Sequence, residues 1–214
     1  MKNSKTFFAL LILLAVMFSS KGFAGPITGL YYTSSPSSQV GAGETVLVTP
    51  FDGFDVFASL SSSNSAFLSV NDFATNPDFS TTRWWQLDFA APAGQSLHVG
   101  HYANATRYPF QDPASSGLSF VGNNRGDTEL TGYFDVLEIN FGASGDILSF
   151  AANFTQFDEN LPERWNRGNI RLNSDVPLLF AVAEPQSLAL FAIGLLSLIV
   201  IMTRRSNGKL SRIY

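Results

Sequence analysis

Acidic side chains are the groups in this sequence best suited to catalysis, because hydrolysis of a glycosidic bond needs only two carboxyl groups about 5–10 Å apart. The candidates near two long predicted strands are Asp135, Glu138, Asp158, Glu159 and Glu163. Any acidic β-protein offers similar pairs on its solvated outer face, which is the commoner arrangement. The pattern therefore predicts a protein that is not an enzyme, with a carbohydrate-active enzyme using paired carboxylates as the alternative.

Histidine, serine and cysteine give less support to other chemistry. His98 and His101 are the two histidines, and residues three apart point to opposite faces of a strand, which does not suit a shared metal ion. The sequence has no cysteine and no Gly-x-Ser-x-Gly motif of the kind that presents a nucleophilic serine. We therefore expect hydrogen-bonded or surface histidines, and no cofactor.

Two tryptophans are candidates for ligand binding. Trp84 and Trp85 precede the alternating Leu87 and Phe89, so the two indole rings are predicted on opposite faces of a sheet, one of them in the core. An exposed aromatic ring can stack on a sugar ring. Trp84 and Trp165 are therefore candidate glycan-stacking residues, although covered aromatic side chains are the commoner arrangement.

The elements that position these residues are predicted to be strands. Between residues 25 and 183, short alternating apolar runs bounded by Gly, Pro, Asn, Asp and Ser recur. Strands are predicted over residues 44–49, 55–60, 66–70, 83–90, 117–121, 130–141, 146–157 and 169–173. Loops or linkers are predicted over residues 33–39, 71–82 and 102–116. The pattern favours an all-β domain with a β-sandwich or jelly-roll-like architecture.

The predicted strands 130–141 and 146–157 form a long hairpin around a loop that contains glycine. Leu148, Phe150, Ala152 and Phe154 share one face of the second strand. In the first strand Phe134 and Val136 have one parity, whereas the apolar residues after them have the other: Leu137, Ile139 and Phe141. Either a β-bulge shifts the register of this strand or both of its faces are buried.

The middle of the chain is acidic and free of lysine. Residues 25–183 hold six arginines against sixteen acidic residues, a balance of −10 within a whole-chain charge of −4. Because nucleic-acid binding depends on clustered Lys and Arg, this charge excludes nucleic acid as a partner. Without cysteine, stability has to come from a packed core, for which the 20 phenylalanines supply large apolar side chains.

Both ends of the chain have the pattern of a targeting signal. Lys2 and Lys5 precede an apolar run and a small-residue exit, which predicts a signal peptide over residues 1–24. Residues 185–203 carry no charge and would measure about 28 Å as a helix, enough to span the hydrocarbon core. Arg204 and Arg205 begin a basic tail that the positive-inside rule keeps in the cytoplasm. The acidic domain is therefore expected outside the cytoplasm, anchored by a transmembrane helix.

The C-terminal segment also carries a family resemblance. Ala183, Glu184 and Pro185, the apolar span after them, and Arg204 with Arg205 resemble the PEP-CTERM sorting signal of exported Gram-negative proteins. In that family the signal is recognised by exosortase, a membrane cysteine transpeptidase. The resemblance implies an exosortase-like processing enzyme as a partner, and release to the cell surface or extracellular matrix after processing. Ala183 replaces the first proline of the family motif, a departure that bears on cleavage.

A second set of motifs is spread over residues 41–174. It includes Trp85-Gln86-Leu87-Asp88-Phe89-Ala90-Ala91-Pro92, Gly94-Gln95-Ser96-Leu97, Pro109-Phe110-Gln111, Gly117-Leu118, Arg125-Gly126 and Thr131-Gly132. These motifs resemble an uncharacterised bacterial secreted β-sandwich domain, which supplies no catalytic residues. Cysteines of that family stand at the positions of Asp127 and Asp158, so the resemblance implies Cα atoms about 4.4–6.8 Å apart, as in a disulfide.

Two carboxylates held so close repel each other, which raises the pKa of one of them unless a partner intervenes. Three arrangements of Asp127 and Asp158 are open. In the first, Arg125 lies between them, and in the second, a calcium ion bridges them. In the third, which is favoured, the local loops separate into water. The two residues are therefore only weak metal candidates, since few further oxygen ligands are evident.

The sequence thus predicts six segments: signal peptide 1–24, linker or first strand 25–40, β-sandwich ectodomain 41–175, linker with sorting motif 176–184, transmembrane helix 185–203 and basic cytoplasmic tail 204–214. The expected function is a structural or binding role in the cell envelope. Extracellular polysaccharide of an exopolysaccharide or biofilm matrix is the expected class of ligand.

Overall fold

A computed structural model describes residues 25–62 and 64–179 of the chain. Its strands are β1 (Ile27–Ser34), β2 (Thr45–Val48), β3 (Asp55–Ser62), β4 (Ser65–Asn71), β5 (Trp84–Ala90), β6 (Gly100–Arg107), β7 (Gly117–Gly122), β8 (Leu130–Phe141), β9 (Ile147–Asp158) and β10 (Trp165–Ser174), with one 3₁₀ turn at Pro50–Asp52. The prediction of an all-β domain is confirmed. Within the described residues no helix is long and apolar enough to cross a membrane.

The ten strands form one mixed sheet in the order β2-β1-β10-β9-β8-β6-β7-β5-β4-β3. The sheet curls so that its two halves pack against each other. Tyr32 on β1 lies 5.1 Å, between ring centroids, from Phe120 on β7, and Phe89 on β5 lies 5.6 Å from Phe150 on β9. Alternate residues of both halves therefore bury their side chains in one aromatic core, where burial of apolar area stabilises the fold.

The long hairpin is confirmed, and so is its bulge. The pairing of β8 with β9 shifts in register between Val136 and Glu138, so that Phe134 and Val136 face the core while Leu137 is exposed. A second shift follows, where Phe141 pairs with Ile147. It makes Ile147 the buried residue and leaves Leu148 exposed, so the prediction that Leu148 shares the face of Phe150 in the core is wrong.

Strand β6 was not predicted, and β1 lies within residues 25–40, which were predicted as a linker or first strand. β1 lies between β2 and β10 and includes Thr33 and Ser34, which were expected to belong to a loop. β6 occupies the first half of the predicted loop 102–116. The apolar alternation of both strands is interrupted by glycine and by small polar residues, so periodicity alone does not reveal them.

Arg171 on β10 is fully buried and holds the segment after that strand in place. Its guanidinium donates to the carbonyl oxygens of Val176, Pro177 and Ala152, and burial lowers its pKa to about 10. Residues up to Leu179, whose backbone bonds to the side chain of Asn169, thus pack on the domain.

Replacing Arg171 by lysine should lower the free energy of unfolding by at least about 2 kcal/mol, because an ammonium cannot satisfy carbonyls spread around a planar guanidinium. Arg167→Lys is the matched control, since Arg167 is exposed on the same strand and face. Urea unfolding of both variants measures the difference. Equal midpoints for the two would show that Arg171 does not hold the segment.

Candidate functional site

Strand β6 marks the place where the curled sheet opens. It pairs with β8 along most of its length, but with β7 only at Thr106 and Arg107. Along the rest of that edge, the contact is with the loop before β7, where the Ser116 hydroxyl donates to the Ala103 carbonyl and Thr106 N–H donates to the Ser116 carbonyl. The outer surface is therefore indented along β6.

A β-bulge lies in the middle of this strand. The register of β6 against β8 shifts between Tyr102 and Ala105, and Asn104 has a positive φ of 52°. Asparagine tolerates this left-handed conformation better than most residues. Bulges re-aim side chains and are common beside functional sites. Here the bulge turns the Asn104 side chain to the exposed surface.

Three grooves adjoin along β6. The first, of about 410 Å³, lies between β6 and the loops 92–98 and 114–116, and the second, of about 540 Å³, lies over β6, β8 and the end of β9. They share His101, Ala103 and Asn104. The third, of about 400 Å³, shares Thr106 and Thr131 with the second. The three adjoining depressions are together called the β6 groove, and they follow a strand that is roughly 26 Å long.

The walls of the β6 groove combine aromatic rings with uncharged polar groups. Tyr133 is 39% exposed and Phe110 is 72% exposed, while Phe157 is half-buried. The polar lining is mostly hydroxyl and amide: Gln95, Asn104, Thr106, Ser115, Thr131 and Asn160. Such walls offer apolar faces for stacking and neutral groups for hydrogen bonding, the combination that orients ligands in binding sites.

Few charges line the groove, and some of them are engaged with the protein. The guanidinium of Arg107 lies 4.8 Å above the Phe110 ring and donates to the Thr128 carbonyl. His101, which lines the first two grooves, has its Nδ1 2.7 Å from Oδ1 of Asp135 on β8, and Asp135 itself lines neither groove. His98 Nδ1 bonds the Ser96 carbonyl. The expectation of hydrogen-bonded surface histidines is confirmed for both.

The two candidate glycan-stacking residues, Trp84 and Trp165, lie on different strands. Trp85 is fully buried and Trp84 lies half-buried on the opposite face of β5, as predicted, but away from the β6 groove. Trp165 is half-buried on β10 opposite Phe157 of β9, with the Arg167 guanidinium 4.7 Å above its ring. Trp165 pairs with a residue of the groove wall but does not itself line the β6 groove. Tyr133 and Phe110 are groove residues that sequence reasoning missed.

The candidate catalytic carboxylates do not converge in a groove. Glu138 accepts hydrogen bonds from Ser149, Ser174 and Asn140, which gives it a structural role. Each of four grooves on the described surface is lined by at most one carboxylate, Asp146 in one and Glu129 in another.

Asp127 and Asp158 do lie together, but inside the protein. Asp127 is 6% exposed and Asp158 is 0% exposed, and the amide nitrogen of Gln156 lies 2.8 Å from Asp127 Oδ2 and 3.2 Å from Asp158 Oδ1. The favoured prediction that the loops separate into water is wrong, and so is an arginine between the pair, because Arg125 pairs with Glu44. The Gln156 amide bridges the two carboxyls instead. As predicted for two close acids, the pKa of one is raised: burial, with Asp158 beside it, raises the pKa of Asp127 to about 8.

Comparisons with known proteins give no further assignment: no family model, no curated protein and no solved structure matches the chain. Within residues 25–62 and 64–179 no group of three or more His, Cys, Asp or Glu side chains could hold a metal ion. The sorting-motif residues Ala183, Glu184 and Pro185, the basic residues Arg204 and Arg205, and the predicted signal peptide lie outside the described residues.

Proposed function

We propose that this chain is an exported cell-envelope protein whose β-domain binds an uncharged extracellular polysaccharide in the β6 groove. The observation that carries the proposal is the row of three adjoining depressions along β6, two of which are lined by the exposed rings of Tyr133 and Phe110. An open groove fits a segment of a long polymer, since the chain can continue beyond both ends of the site.

The chemistry of the walls supports a glycan. A sugar ring has an apolar face of C–H groups, which packs on Tyr133, Phe157 or Phe110, and an equatorial rim of hydroxyls, which bonds to amide and hydroxyl side chains such as Asn104 and Thr131. The domain as a whole has a charge balance of −10 and no lysine. It therefore repels polyanions, which favours an uncharged polysaccharide.

A binding role is favoured over the carbohydrate-active enzyme by the placement of the acids. The carboxyl pair that Gln156 bridges, Asp127 and Asp158, is buried, and neither acid lines one of the four grooves. Glycoside hydrolysis requires two carboxyls on either side of the bound glycosidic bond.

The sandwich architecture is proposed on the face-to-face packing of the two halves of the sheet.

Routing is proposed from the two ends of the chain. A signal peptide exports the domain, and the PEP-CTERM-like segment anchors it in the membrane, where an exosortase-like enzyme processes it. The ectodomain then faces the polysaccharide matrix outside the cytoplasm.

The binding proposal is tested by applying the full chain, in detergent micelles, to an array of uncharged and acidic oligosaccharides. Binding to uncharged chains of several sugars, without hydrolysis products, is expected. Products released from the bound glycans would favour the enzyme, and the absence of binding to any glycan would overturn the proposal.

The anchor is tested by deleting residues 185–214. The truncated protein is expected to leave the membrane fraction as a soluble exported species, because the uncharged span 185–203 is removed. Deletion of residues 206–214 alone is the control and should leave the protein in the membrane fraction, because the span and Arg204 with Arg205 remain. A 185–214 deletion that still fractionates with membranes contradicts the assignment.

A further inference from the structure

The loop after β1 and side chains of β9 and β10 enclose the carboxylate of Asp158, the last residue of β9. The carboxylate accepts hydrogen bonds from the Ser38 hydroxyl and the Gln39 N–H, both 2.7 Å, in the loop after β1. It also accepts from the amide groups of Asn166, at 2.6 Å, and Gln156, at 3.2 Å. Because several donors stabilise a carboxylate, Asp158 is the member of the pair suited to carry the negative charge.

Asp127 has fewer hydrogen-bond donors around its carboxyl group than Asp158. Its Oδ2 accepts from Gln156 Nε2 at 2.8 Å, whereas its buried Oδ1 receives no hydrogen bond from the described residues. An unsatisfied buried carboxylate oxygen beside a second carboxylate is costly. A proton on Asp127 removes this cost, because the acid becomes neutral and gains an O–H that can donate to the Asp158 carboxylate.

The residues that follow these two acids form the end wall of the β6 groove. Thr128 N–H donates to Glu159 Oε1, and Glu159 N–H donates to the Glu129 carbonyl. The Asn160 amide donates to Glu129 Oε2. Thr128, Glu129 and Asn160 line the third groove. The position of this wall therefore depends on how Asp127 and Asp158 are held together.

We propose that Asp127 and Asp158 share one proton and form an acid latch, which fixes the end wall of the β6 groove and loosens it when the proton is lost. Its relevance to ligand binding rests on the proposed function, whereas the latch itself concerns the protein alone. When the proton leaves to solvent, two carboxylates face each other in a buried site, and their repulsion separates the loop 123–129 from β9.

Burial and the surrounding charges favour the protonated state. Burial, followed by the carboxyl groups of Asp158 and Glu159, raises the pKa of Asp127 to about 8. Arg125, two residues away on the same loop, is paired with Glu44, which also holds Arg83. The folded state thus keeps a proton that the unfolded chain loses near pH 4. Stability contributed by this proton is complete below about pH 4 and is lost as the pH rises to about 8.

Hydrogen exchange of the full chain in detergent micelles, without any ligand, tests the latch. Between pH 7 and 9.5, protection factors corrected for intrinsic rates should fall about tenfold or more at residues 123–130. They should stay constant on β4, which is distant in the strand order. In Asp127→Asn the amide cannot lose a proton, so protection at 123–130 should not depend on pH. Equal pH dependence in both proteins, or none in the wild type, overturns the proposal.

Should Asp127→Asn fail to fold, the wild type provides a second test. The ¹³C carboxyl shift of Asp127 should titrate with a midpoint near 8, and a midpoint near 4, the ordinary range of an aspartate, overturns the latch. Both measurements are free of ligand. A glycan array without binding therefore removes the proposed function and leaves the latch standing, and the reverse outcome is equally distinct.

Discussion

Replacing Tyr133 and Phe110 together by alanine is expected to weaken binding of an array-positive oligosaccharide about 30-fold or more. Both rings are exposed in the β6 groove, so their loss should affect the ligand more than the fold. Each ring covered by a sugar contributes roughly 1–2 kcal/mol of apolar burial, and 1.4 kcal/mol corresponds to a tenfold change in affinity. Isothermal titration calorimetry of the variant and the wild type measures the difference.

The matched control is the double variant Phe57→Ala and Phe79→Ala. These rings are 58% and 81% exposed, and neither lines the β6 groove. The control should bind as the wild type does. Equal loss of affinity in both double variants would mean that the exposed rings bind the ligand non-specifically. Unchanged affinity in the groove variant would show that the β6 groove is not the binding site.

Replacing Asp127 and Asp158 together by cysteine should give a disulfide under oxidising conditions and raise the free energy of unfolding by about 2–4 kcal/mol. The Gln156 amide already bonds both carboxyl groups, and the cross-link closes a loop of about 30 residues in the unfolded chain. The substitution also removes two buried acids.

The reduced form of the same variant is its own control, since it differs only in the cross-link. Thiol titration reports bond formation, and urea unfolding of the oxidised and reduced forms reports the stabilisation. Two free thiols after oxidation would show that the Cα atoms are too far apart for a bridge.

Most strands could be predicted because apolar and polar residues alternate along a half-buried strand. The bulge in β8 was visible in the change of parity between Val136 and Leu137. Strand β6 was missed because the bulge around Asn104 and the small residues beside it break the alternation. The predicted loop 102–116 therefore concealed the strand that carries the groove.

The site itself depends on contacts that are distant in sequence. In the sequence, Tyr133 is one outward-facing residue of a long strand. It lies in a groove wall only because β6 and β9 pair with that strand in the fold. The burial of Asp127 and Asp158 was likewise not predictable, because it depends on the loop that carries Ser38, which is 120 residues from Asp158 in the chain. Sequence spacing indicated the proximity of the two acids but not the polar groups that enclose them.

The most direct test of the binding site is a titration of the isotope-labelled full chain with an uncharged hexasaccharide positive on the array, followed by backbone NMR. The account predicts that the shifting amides lie along the groove, at His101–Thr106, Thr131–Tyr133 and Phe157. Amides at Val56–Leu60, which line a separate groove of about 620 Å³, should not move. Shifts confined to the separate groove at Val56–Leu60, or no shifts at saturating hexasaccharide, would contradict the assignment of the β6 groove as the glycan site.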